Sequence, residues 1–337
     1  MPKPKPAIAC LHEMKPGQHA DFFALLAEKS RGSTREGKPF FTCRFRDAKR
    51  TVTFMVWGDS PVFETCEKDW KPGQFFKIRA TYGEHERYGA QIDVEQLRPV
   101  AEADRDDGFD PAGFVEVSRF QPDAMFAELQ SLAEQHIADL PLRKLVLTIL
   151  DRHAVSLKAL PATERRFYPF PGGLLEHILS VTHSAIHLAD KYGKHYPHLQ
   201  PPLNRDLVAA GAMLHDIGRV LEYAPDPFSL QKTVPGEFFG HLALGRDLVR
   251  DTARELGDVN PELALLLEHI VLTHLALPEW GSPRLPLIPE VIIIHHADDL
   301  DAKLEMYARC LSKDKGDGPF TERDPSLGRA LYKRRQT

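Results

Sequence analysis

The sequence predicts an α+β, multidomain protein in which a small N-terminal β-barrel is followed by a larger all-α domain. Between about residue 15 and residue 100, apolar and polar side chains alternate with a period of two, as they do in half-buried strands. From about residue 121 onward, apolar side chains recur with helical spacing instead. The length of 337 residues also exceeds that of one ordinary domain, which has roughly 100–200 residues.

The predicted domain boundaries follow changes in composition. Residues 1–103 form the β module, and residues 104–165 contain a linker and leading helices that follow an acidic, apolar-poor stretch at 101–111. Residues 166–312 form the main helical domain. Residues 313–337 are a tail of mixed charge, which we expect to be partly disordered.

Strand alternation is clearest in the β module on either side of a turn at 47–50, and it recurs at 76–82 and 90–94. The residues predicted to fill the barrel are Phe41, Cys43, Phe45, Val52, Phe54 and Val56. The residues between them, and two basic residues on a later strand, then face outward: Phe40, Arg44, Arg46, Met55, Trp57, Lys77 and Arg79.

This outward face is the predicted nucleic-acid surface of the β module. Single-strand binders combine basic groups, which follow the phosphate backbone, with exposed aromatic rings, which stack on bases. The predicted contact residues are Phe40, Arg44, Arg46, Trp57, Lys77 and Arg79. The alternative is that Trp57 caps the barrel and the basic residues only solvate it. Nothing in this pattern separates RNA from DNA.

Helices are predicted after the acidic stretch at positions set by apolar periodicity and by flanking proline and glycine. Their ranges are 124–138, 142–153, 174 onward, 205–217, 240–256, 261–275 and 289–308.

Overall composition narrows the class of protein. The formal net charge of −5 means that any nucleic-acid surface must be a local basic patch. The four cysteines show no C-x-x-C spacing, which argues against a disulfide framework or zinc knuckle and favours a reducing compartment. The N-terminal stretch does not have the pattern of a signal peptide, and no run approaches the ~18 apolar residues of a membrane helix. We therefore predict a cytoplasmic location without membrane association.

The dipeptide His215-Asp216 is the strongest chemical signal, because it lies in an otherwise apolar helix (AAGAMLHDIGR). Burial of an imidazole and a carboxylate is costly without a partner, and a divalent metal ion is a suitable one. Further candidates with apolar surroundings on other helices are His177, His241, His274 and Asp298. Each histidine alone is more often an ordinary core residue, but the ordered set predicts a metal pocket.

The order H…HD…H…H…D resembles the HD superfamily of metal-dependent phosphohydrolases. More narrowly, the sequence is similar to the YhaM-type 3′→5′ exoribonucleases, which carry an N-terminal OB-fold module and a C-terminal HD domain. The matching stretches are GKPFFTCRFRDAKRTVTFMVWGD (37–59), GGLLEHILSV (172–181), GAMLHDIGRV (211–220), GEFFGHLALG (236–245), EWGSP (279–283) and HHADDLDAK (295–303). The last two stretches are specific to this branch, and the resemblance covers about residues 15–335.

The resemblance implies a set of roles for these residues. One metal ion is held by His177, His215, Asp216 and Asp298, and Asp216 bridges to a second ion held by His241 and His274. Mn²⁺ is the implied ion, with Fe²⁺, Zn²⁺ and Mg²⁺ as alternatives and one or two ions per site. Arg219 either grips a phosphate as part of the catalytic machinery or forms an ion pair. The implied reaction removes nucleoside 5′-monophosphates from the 3′ end of single-stranded RNA or DNA.

Leu275 departs from the family pattern. The family usually has two adjacent histidines and a glycine where this chain has His274-Leu275-Ala276. Because leucine cannot bind a metal, the change predicts either a weaker second site or a single-metal enzyme. Arg219, where a lysine is common, keeps the positive charge.

Two other functions stay open at this stage. One is an HD nucleotidase or a phosphodiesterase for cyclic or alarmone nucleotides, which uses the same metal residues but leaves the β module without a clear role. The other is a non-enzymatic nucleic-acid-binding protein with a degenerate HD site, for which Leu275 is the argument. The oligomeric state is open as well, including a homo-oligomer.

Overall fold

The computed structural model describes residues 8–34, 36–85, 89–114, 116, 118–224, 230–314 and 316–334, with only the backbone of Ala112. The chain divides into two compact units, the first reaching to Glu116 and the second following it. The first unit is a β-barrel and the second is helical, so the predicted fold class is confirmed. None of the helices in the described ranges combines the length and apolarity that a membrane span needs.

Among its described residues, the first unit has six strands and one short α-helix. They are β1 (Ile8–Ala9), β2 (His19–Ser33), β3 (Pro39–Arg46), β4 (Thr51–Trp57), α1 (Phe63–Asp69), β5 (Phe75–His85) and β6 (Gly89–Pro99). The strand order is β1-β2-β3-β4-β6-β5, and β5 also pairs with β2, which closes the barrel. The barrel strands β2–β6 pair antiparallel except for the parallel pair β4–β6, and a helix lies between β4 and β5, which is the topology of an OB-fold.

The barrel interior follows the predicted alternation of β3 and β4. Phe41, Cys43 and Phe45 of β3 are buried, as are Val52 and Val56 of β4. Phe54, also predicted to fill the barrel, is only half-buried. In the β3–β4 register, Phe40 lies opposite Trp57 and Arg44 lies opposite Thr53, so these residues share the outer face of the two strands.

The acidic stretch after the barrel belongs to the first unit, and although most of its residues are exposed, it is held on the barrel through Asp104. The division between units falls at Glu116, later than the boundary predicted after residue 103. A buried carboxylate holds the stretch in this unit, since Asp104 accepts hydrogen bonds from both terminal nitrogens of Arg98 at 2.6 Å. Lys77 donates to the same carboxylate at 3.2 Å, which fixes this stretch on β5 and β6.

The second unit consists of helices whose ends match the predicted ranges within a few residues, apart from those discussed below. They are α2 (Pro122–His136), α3 (Leu140–Arg152), α4 (Ala154–Ala159), α5 (Gly173–His195), α6 (Arg205–Leu214), α7 (Arg219–Glu222), α8 (Val234–Leu256), α9 (Pro261–Thr273) and α10 (Pro289–Lys313). The side-chain caps that start α3, α6, α8 and α9 are Asp139, Asn204, Thr233 and Asn260.

Three element ends differ from prediction in ways that matter. Helix α6 ends at Leu214, so His215 and Asp216 lie in the turn before α7 instead of within a helix. Helix α8 begins at Val234, and its backbone breaks at Gly240 (φ 67°), directly before His241. The tail expected to be partly disordered instead forms bridges in its described residues, with Thr321 donating its backbone N–H to the Leu331 carbonyl.

Close backbone packing brings these elements together. A methyl group on Gly218 would lie 1.9 Å from the His241 carbonyl oxygen, and one on Gly236 would lie 2.2 Å from that of Glu222. A methyl group on Gly211 of α6 would lie 2.6 Å from Ile294 of α10. The two backbone contacts permit only glycine, so Gly218 and Gly236 set how closely the chain between α6 and α7, and α7 itself, approach α8.

Candidate metal centre

Five parts of the helical unit bring the predicted ligands to one buried centre. The side chains are His177 from α5, His215 and Asp216 from the turn after α6, His241 from α8, His274 at the end of α9 and Asp298 from α10. The side chains of His177, His215 and His274 are fully buried, and those of Asp216, Asp298 and His241 are at most 15% exposed. A polar cluster buried to this extent requires partners.

The first half of the centre lies around His177. Its Nε2 is 3.4 Å from Nε2 of His215, 3.1 Å from a carboxylate oxygen of Asp298 and 4.0 Å from Oδ2 of Asp216. Two atoms that bind one ion at ~2.1 Å lie about 3–3.5 Å apart, so these separations suit a shared ion.

The second half of the centre shares Asp216. Its Oδ1 is 3.4 Å from Nε2 of His241 and 3.6 Å from Nε2 of His274. Asp216 thus turns one carboxylate oxygen towards each half. Because a carboxylate can bridge two ions, the arrangement offers two overlapping metal positions.

The outer nitrogen of every histidine in the centre faces a specific oxygen. Nδ1 of His215 donates to the Ala212 carbonyl at 2.8 Å, and Nδ1 of His274 donates to the Val271 carbonyl at 3.0 Å. For the other two histidines, the facing oxygens belong to carboxylates, Asp301 at 2.8 Å from His177 and Glu222 at 3.3 Å from His241. With Nδ1 engaged in this way, each imidazole can present an unprotonated Nε2 to a metal ion.

Unpaired buried atoms test whether the residues fit a metal ion. In the described part of the chain, Oδ1 of Asp216, Nε2 of His241 and Nε2 of His274 are buried and have no hydrogen-bond partner. Leaving one buried polar atom unpaired costs about 1–3 kcal/mol, and here three such atoms face one another. The donor set and its unused lone pairs therefore fit a divalent cation.

The electrostatics of the centre favour metal-binding protonation states at Asp216 and His215. Burial opposes ionisation of Asp216, but Arg219 and the surrounding histidines hold its pKa well below its usual value. Burial lowers the pKa of His215 to about 4, so its imidazole is neutral near pH 7. At His177, burial lowers the pKa, but hydrogen bonds to Asp298 and Asp301 outweigh it and raise the pKa to about 10. A proton therefore competes with a metal ion at His177.

The Arg219 side chain is mostly buried and is held by ion pairs. Its side chain is 12% exposed, its Nε donates to Oδ2 of Asp216 at 2.7 Å, and NH1 lies 4.0 Å from Glu222. The predicted surface ion pair is therefore a buried one, made with a candidate metal ligand. This contact fixes the carboxylate of Asp216 with Oδ1 towards His241 and His274.

Two carboxylates that orient histidines were missed in the sequence. Asp301 accepts hydrogen bonds from Ser180 at 2.5 Å and from the hydroxyl of Tyr168 at 3.2 Å, in addition to facing His177. Its spacing of three from Asp298 on α10 was the signal, because such residues share a helix face. Glu222 lies in the short helix α7, where no periodicity marks it.

The region of the missing histidine keeps an unusual backbone. Leu275 is half-buried, and Ala276 has a φ of 62°, a conformation that glycine adopts without strain. Ala276 therefore adopts a left-handed backbone conformation at the position where the sequence resemblance implies a glycine. His274 still reaches Asp216, so the second half of the centre keeps three donors.

On the barrel, the structure brings Phe40, Arg44 and Trp57 onto one outer face of β3 and β4. The Phe40 and Trp57 rings are 5.4 Å apart, and the Trp57 side chain is 47% exposed. Arg44 is exposed and lies 3.3 Å from Glu28, a surface pair of the kind that contributes little energy. Arg46 on β3 is half-buried, and burial lowers the pKa of its guanidinium.

Lys77 and Arg79 correct the predicted nucleic-acid surface. Both lie on β5, which pairs with β2 and β6 and not with β3 or β4. The Lys77 side chain is only 12% exposed and binds Asp104 and Asp107, while Arg79 forms a two-fold hydrogen bond with Asp21 at 2.6 and 2.8 Å. Asp21 stands directly opposite Arg79 in the β2–β5 register, so these cations are neutralised within the barrel.

Comparisons with known proteins agree with this architecture. A family model described as HD domain matches residues 174–303. The 3′-5′ exoribonuclease YhaM of Bacillus subtilis (strain 168) is 30% identical over 327 residues, which cover 96% of this chain and 96% of that protein. The fold and the His/Asp centre thus define an HD-domain protein with an N-terminal OB-like barrel. The chain belongs to the YhaM family, as the sequence resemblance predicted.

Similarity to solved structures is weaker. A domain of replication protein A from Methanococcus maripaludis is 11% identical, covers 28% of this chain and 98% of its own, and has a TM-score of 0.23. An asparaginyl-tRNA synthetase from Entamoeba histolytica, in complex with asparaginyl-adenylate, is 10% identical, with 45% and 37% coverage and a TM-score of 0.24. Both similarities are low, and the barrel is identified by its strand order alone.

Proposed function

We propose that this protein is a metal-dependent 3′→5′ exonuclease that acts on single-stranded RNA in the cytoplasm and releases nucleoside 5′-monophosphates. The supporting observation is the set of unpaired buried atoms on Asp216, His241 and His274, which face one another beside the His177 cluster. The activity printed in the name of the Bacillus subtilis relative supports the substrate and the direction. The cytoplasmic location is supported by the cysteines, which are all free thiols.

The residues fit two divalent ions, for which Mn²⁺ is our proposal. His177, His215, Asp216 and Asp298 would hold one ion, and Asp216, His241 and His274 the other. Ions bound there would lower the pKa of a water molecule and neutralise charge on the phosphate. Imidazole and carboxylate donors suit Mn²⁺, Fe²⁺ or Zn²⁺ better than Mg²⁺.

The chain's own residues prepare this chemistry. Asp301 accepts from the outer nitrogen of His177, and a carboxylate oxygen of Glu222 lies 3.3 Å from the outer nitrogen of His241, so Nε2 of each histidine faces the centre. Arg219 acts as a positioning residue, because its contact at 2.7 Å fixes the orientation of Asp216. Burial of the ligands excludes bulk water and strengthens each of these electrostatic interactions.

The outer face of the barrel supports a polymeric substrate. Phe40 and Trp57 offer adjacent rings, and Arg44 lies on the same two strands. Stacking on such rings contributes about 1–3 kcal/mol per base and tolerates any sequence, which suits an enzyme that shortens RNA from its end. A nucleotidase would leave this face without a role.

The test compares wild-type protein with Asp216→Ala on 5′-labelled single-stranded RNA in Mn²⁺. We expect stepwise shortening by the wild type and none by the variant, with nearly unchanged RNA binding. Asp258→Ala is the matched control, because its carboxylate forms only a surface pair with Lys144 at 3.1 Å. It should retain full activity.

Parallel substrates separate the other functions. Single-stranded DNA of the same sequence measures the preference for the 2′-hydroxyl. Turnover of mononucleotides or cyclic nucleotides without shortening of RNA would contradict the exonuclease and support a small-molecule phosphodiesterase. Protein that contains no transition metal, and cuts nothing when Mn²⁺ is added, would support a binding protein without catalysis.

A further inference from the structure

A partly exposed tryptophan lies beside the metal centre and has no part in the metal site. Trp280 ends a 3-10 turn, Pro278–Trp280, in the connection between α9 and α10. Its side chain is 47% exposed, although burial of a large aromatic side chain is normally favourable. The turn belongs to the EWGSP stretch, for which the metal ligands give no explanation.

The tryptophan is held in place. Its backbone N–H donates to the Leu277 carbonyl at 3.0 Å, and the following Gly281 has a φ of 103°, which reverses the chain. Ser282 is buried, and its hydroxyl donates to the Arg284 carbonyl at 2.7 Å. A ring presented to solvent by a fixed turn loses little conformational freedom when a ligand binds to it.

A short chain of contacts connects Trp280 with a metal ligand. The Trp280 ring packs on the His295 ring at 5.7 Å and 32°. Nδ1 of His295 in turn donates to the carbonyl oxygen of His274 at 2.8 Å. One imidazole therefore separates the tryptophan from the backbone of a residue of the metal centre.

The surroundings of the ring match a nucleotide better than an apolar partner. Nζ of Lys303 lies 5.9 Å from the centre of the Trp280 ring and donates a hydrogen bond to Asp299 at 2.7 Å, and His296 is exposed on the same helix as His295. A partly exposed indole ring beside polar side chains provides a stacking surface of the kind that single-strand binders use.

We propose that Trp280 stacks on the terminal nucleobase of the RNA 3′ end and so sets the position of the scissile phosphate at the metal centre. This inference rests on the proposed exonuclease function and deepens it. Because every base has a stacking face, the contact holds the end of the chain without selecting its sequence.

The test uses RNA with and without the base that Trp280 would hold. Wild-type protein, Trp280→Ala and Trp280→Phe are compared on single-stranded RNA that ends in adenosine and on the same RNA ending in an abasic ribose. We expect removal of the base to lower kcat/KM of the wild type about tenfold, mainly through KM. Trp280→Ala should lose about tenfold on the adenosine end and nothing further on the abasic end, and Trp280→Phe should keep most activity.

Two controls separate stacking from a structural role. Tyr196→Ala removes a ring of similar exposure, 49%, that follows α5 about 28 Å along the helix from His177, and it should match the wild type on both substrates. Binding of the same two RNAs to Asp216→Ala, with and without the additional Trp280→Ala substitution, gives the same comparison without cleavage.

Three outcomes would overturn the inference. If Trp280→Ala loses the same factor in kcat/KM on both RNAs, Trp280 has a structural role. If Trp280→Ala loses no activity on either RNA, Trp280 does not contact the terminal base. A lower oligomeric mass of Trp280→Ala in sedimentation, with equal losses on both RNAs, would make Trp280 a contact between copies of the chain. Wild-type protein that shortens neither RNA would instead contradict the proposed function, and this inference with it.

Discussion

Two aspartates, one in each unit, are equally buried and differ in how their oxygens are used. The side chains of Asp104 in the barrel and Asp216 in the helical unit are each 3% exposed. Both oxygens of Asp104 are hydrogen-bonded, to Arg98, Lys77 and the backbone N–H of Ala101. Asp216 has one oxygen bound to Arg219, and the other has no hydrogen-bond partner in the described ranges.

This difference separates a structural carboxylate from one that fits a metal ion. Burial of a charged group is stabilising only if its lone pairs are satisfied, which is the case at Asp104. At Asp216 the fold keeps an oxygen unsatisfied and surrounds it with two unpaired imidazole nitrogens. Burial and a lowered pKa alone do not distinguish the two aspartates, because both have them.

The largest expected effects concern catalysis at one aspartate and folding stability at the other. Asp216→Asn should lower hydrolysis of RNA at least about a thousandfold, because it removes the charge that both metal positions share. Asp104→Asn should leave hydrolysis and metal content unchanged but lower the free energy of unfolding by about 3 kcal/mol. Metal analysis by mass spectrometry and urea unfolding of the full chain measure the two quantities.

Either substitution can break the comparison. Loss of metal in Asp104→Asn would show that the fully hydrogen-bonded carboxylate also supports the centre. Full metal content in Asp216→Asn would show that the unpaired atoms do not form the binding site.

The next effect concerns the packing that shapes the pocket of Asp216. Gly218→Ala would place a methyl group 1.9 Å from the His241 carbonyl, so one of the two backbones must shift, which disturbs the positions of Asp216 and His241 relative to each other. We expect metal affinity, measured by competition with a chelator, to fall about 10–100-fold. Gly193→Ala is the matched control, because its methyl group would meet nothing within 4 Å on α5. It should leave affinity unchanged and stabilise the helix by up to about 1 kcal/mol. Equal affinities for both variants would contradict the proposed role of this close contact.

The sequence predicted the helical unit well where side chains follow a local period. Apolar spacing located α5, α9 and α10, and three ligand candidates, His177, His274 and Asp298, lie on or directly after those helices. The position of His215 and Asp216 in a turn could not be predicted, because α6 ends where tertiary packing against α8 begins. Glu222 was missed for the same reason, since its approach to His241 depends on a contact between distant backbones.

In the barrel, the sequence pattern predicted strands but not the ion pairs between them. Alternation located β3 and β4 correctly, and it also placed Lys77 and Arg79 on an outer surface. It carried no information about partners, however. Lys77 stands directly opposite Arg98 in the β5–β6 register, and two cations so placed require a nearby carboxylate. Asp104 provides it, from a stretch whose composition alone suggested a solvated linker.

The smallest expected effect sharpens the comparison through pH. Hydrogen bonds from Arg98 lower the pKa of Asp104 below its usual value, and their effect outweighs the opposing effect of burial. The contribution of the ionised carboxylate to stability is therefore complete above the unfolded-state pKa of about 3.9. That contribution is lost as the pH falls towards the folded-state pKa, because the unfolded chain takes up the proton first. Between pH 7 and pH 3.5, the stability advantage of the wild type over Asp104→Asn should therefore narrow by about 0.5–1 kcal/mol. Urea unfolding followed by tryptophan emission, to which the buried Trp70 of the barrel contributes, measures this difference. An advantage that stays constant over this range would mean that the carboxylate is not held as an ion by Arg98 and Lys77.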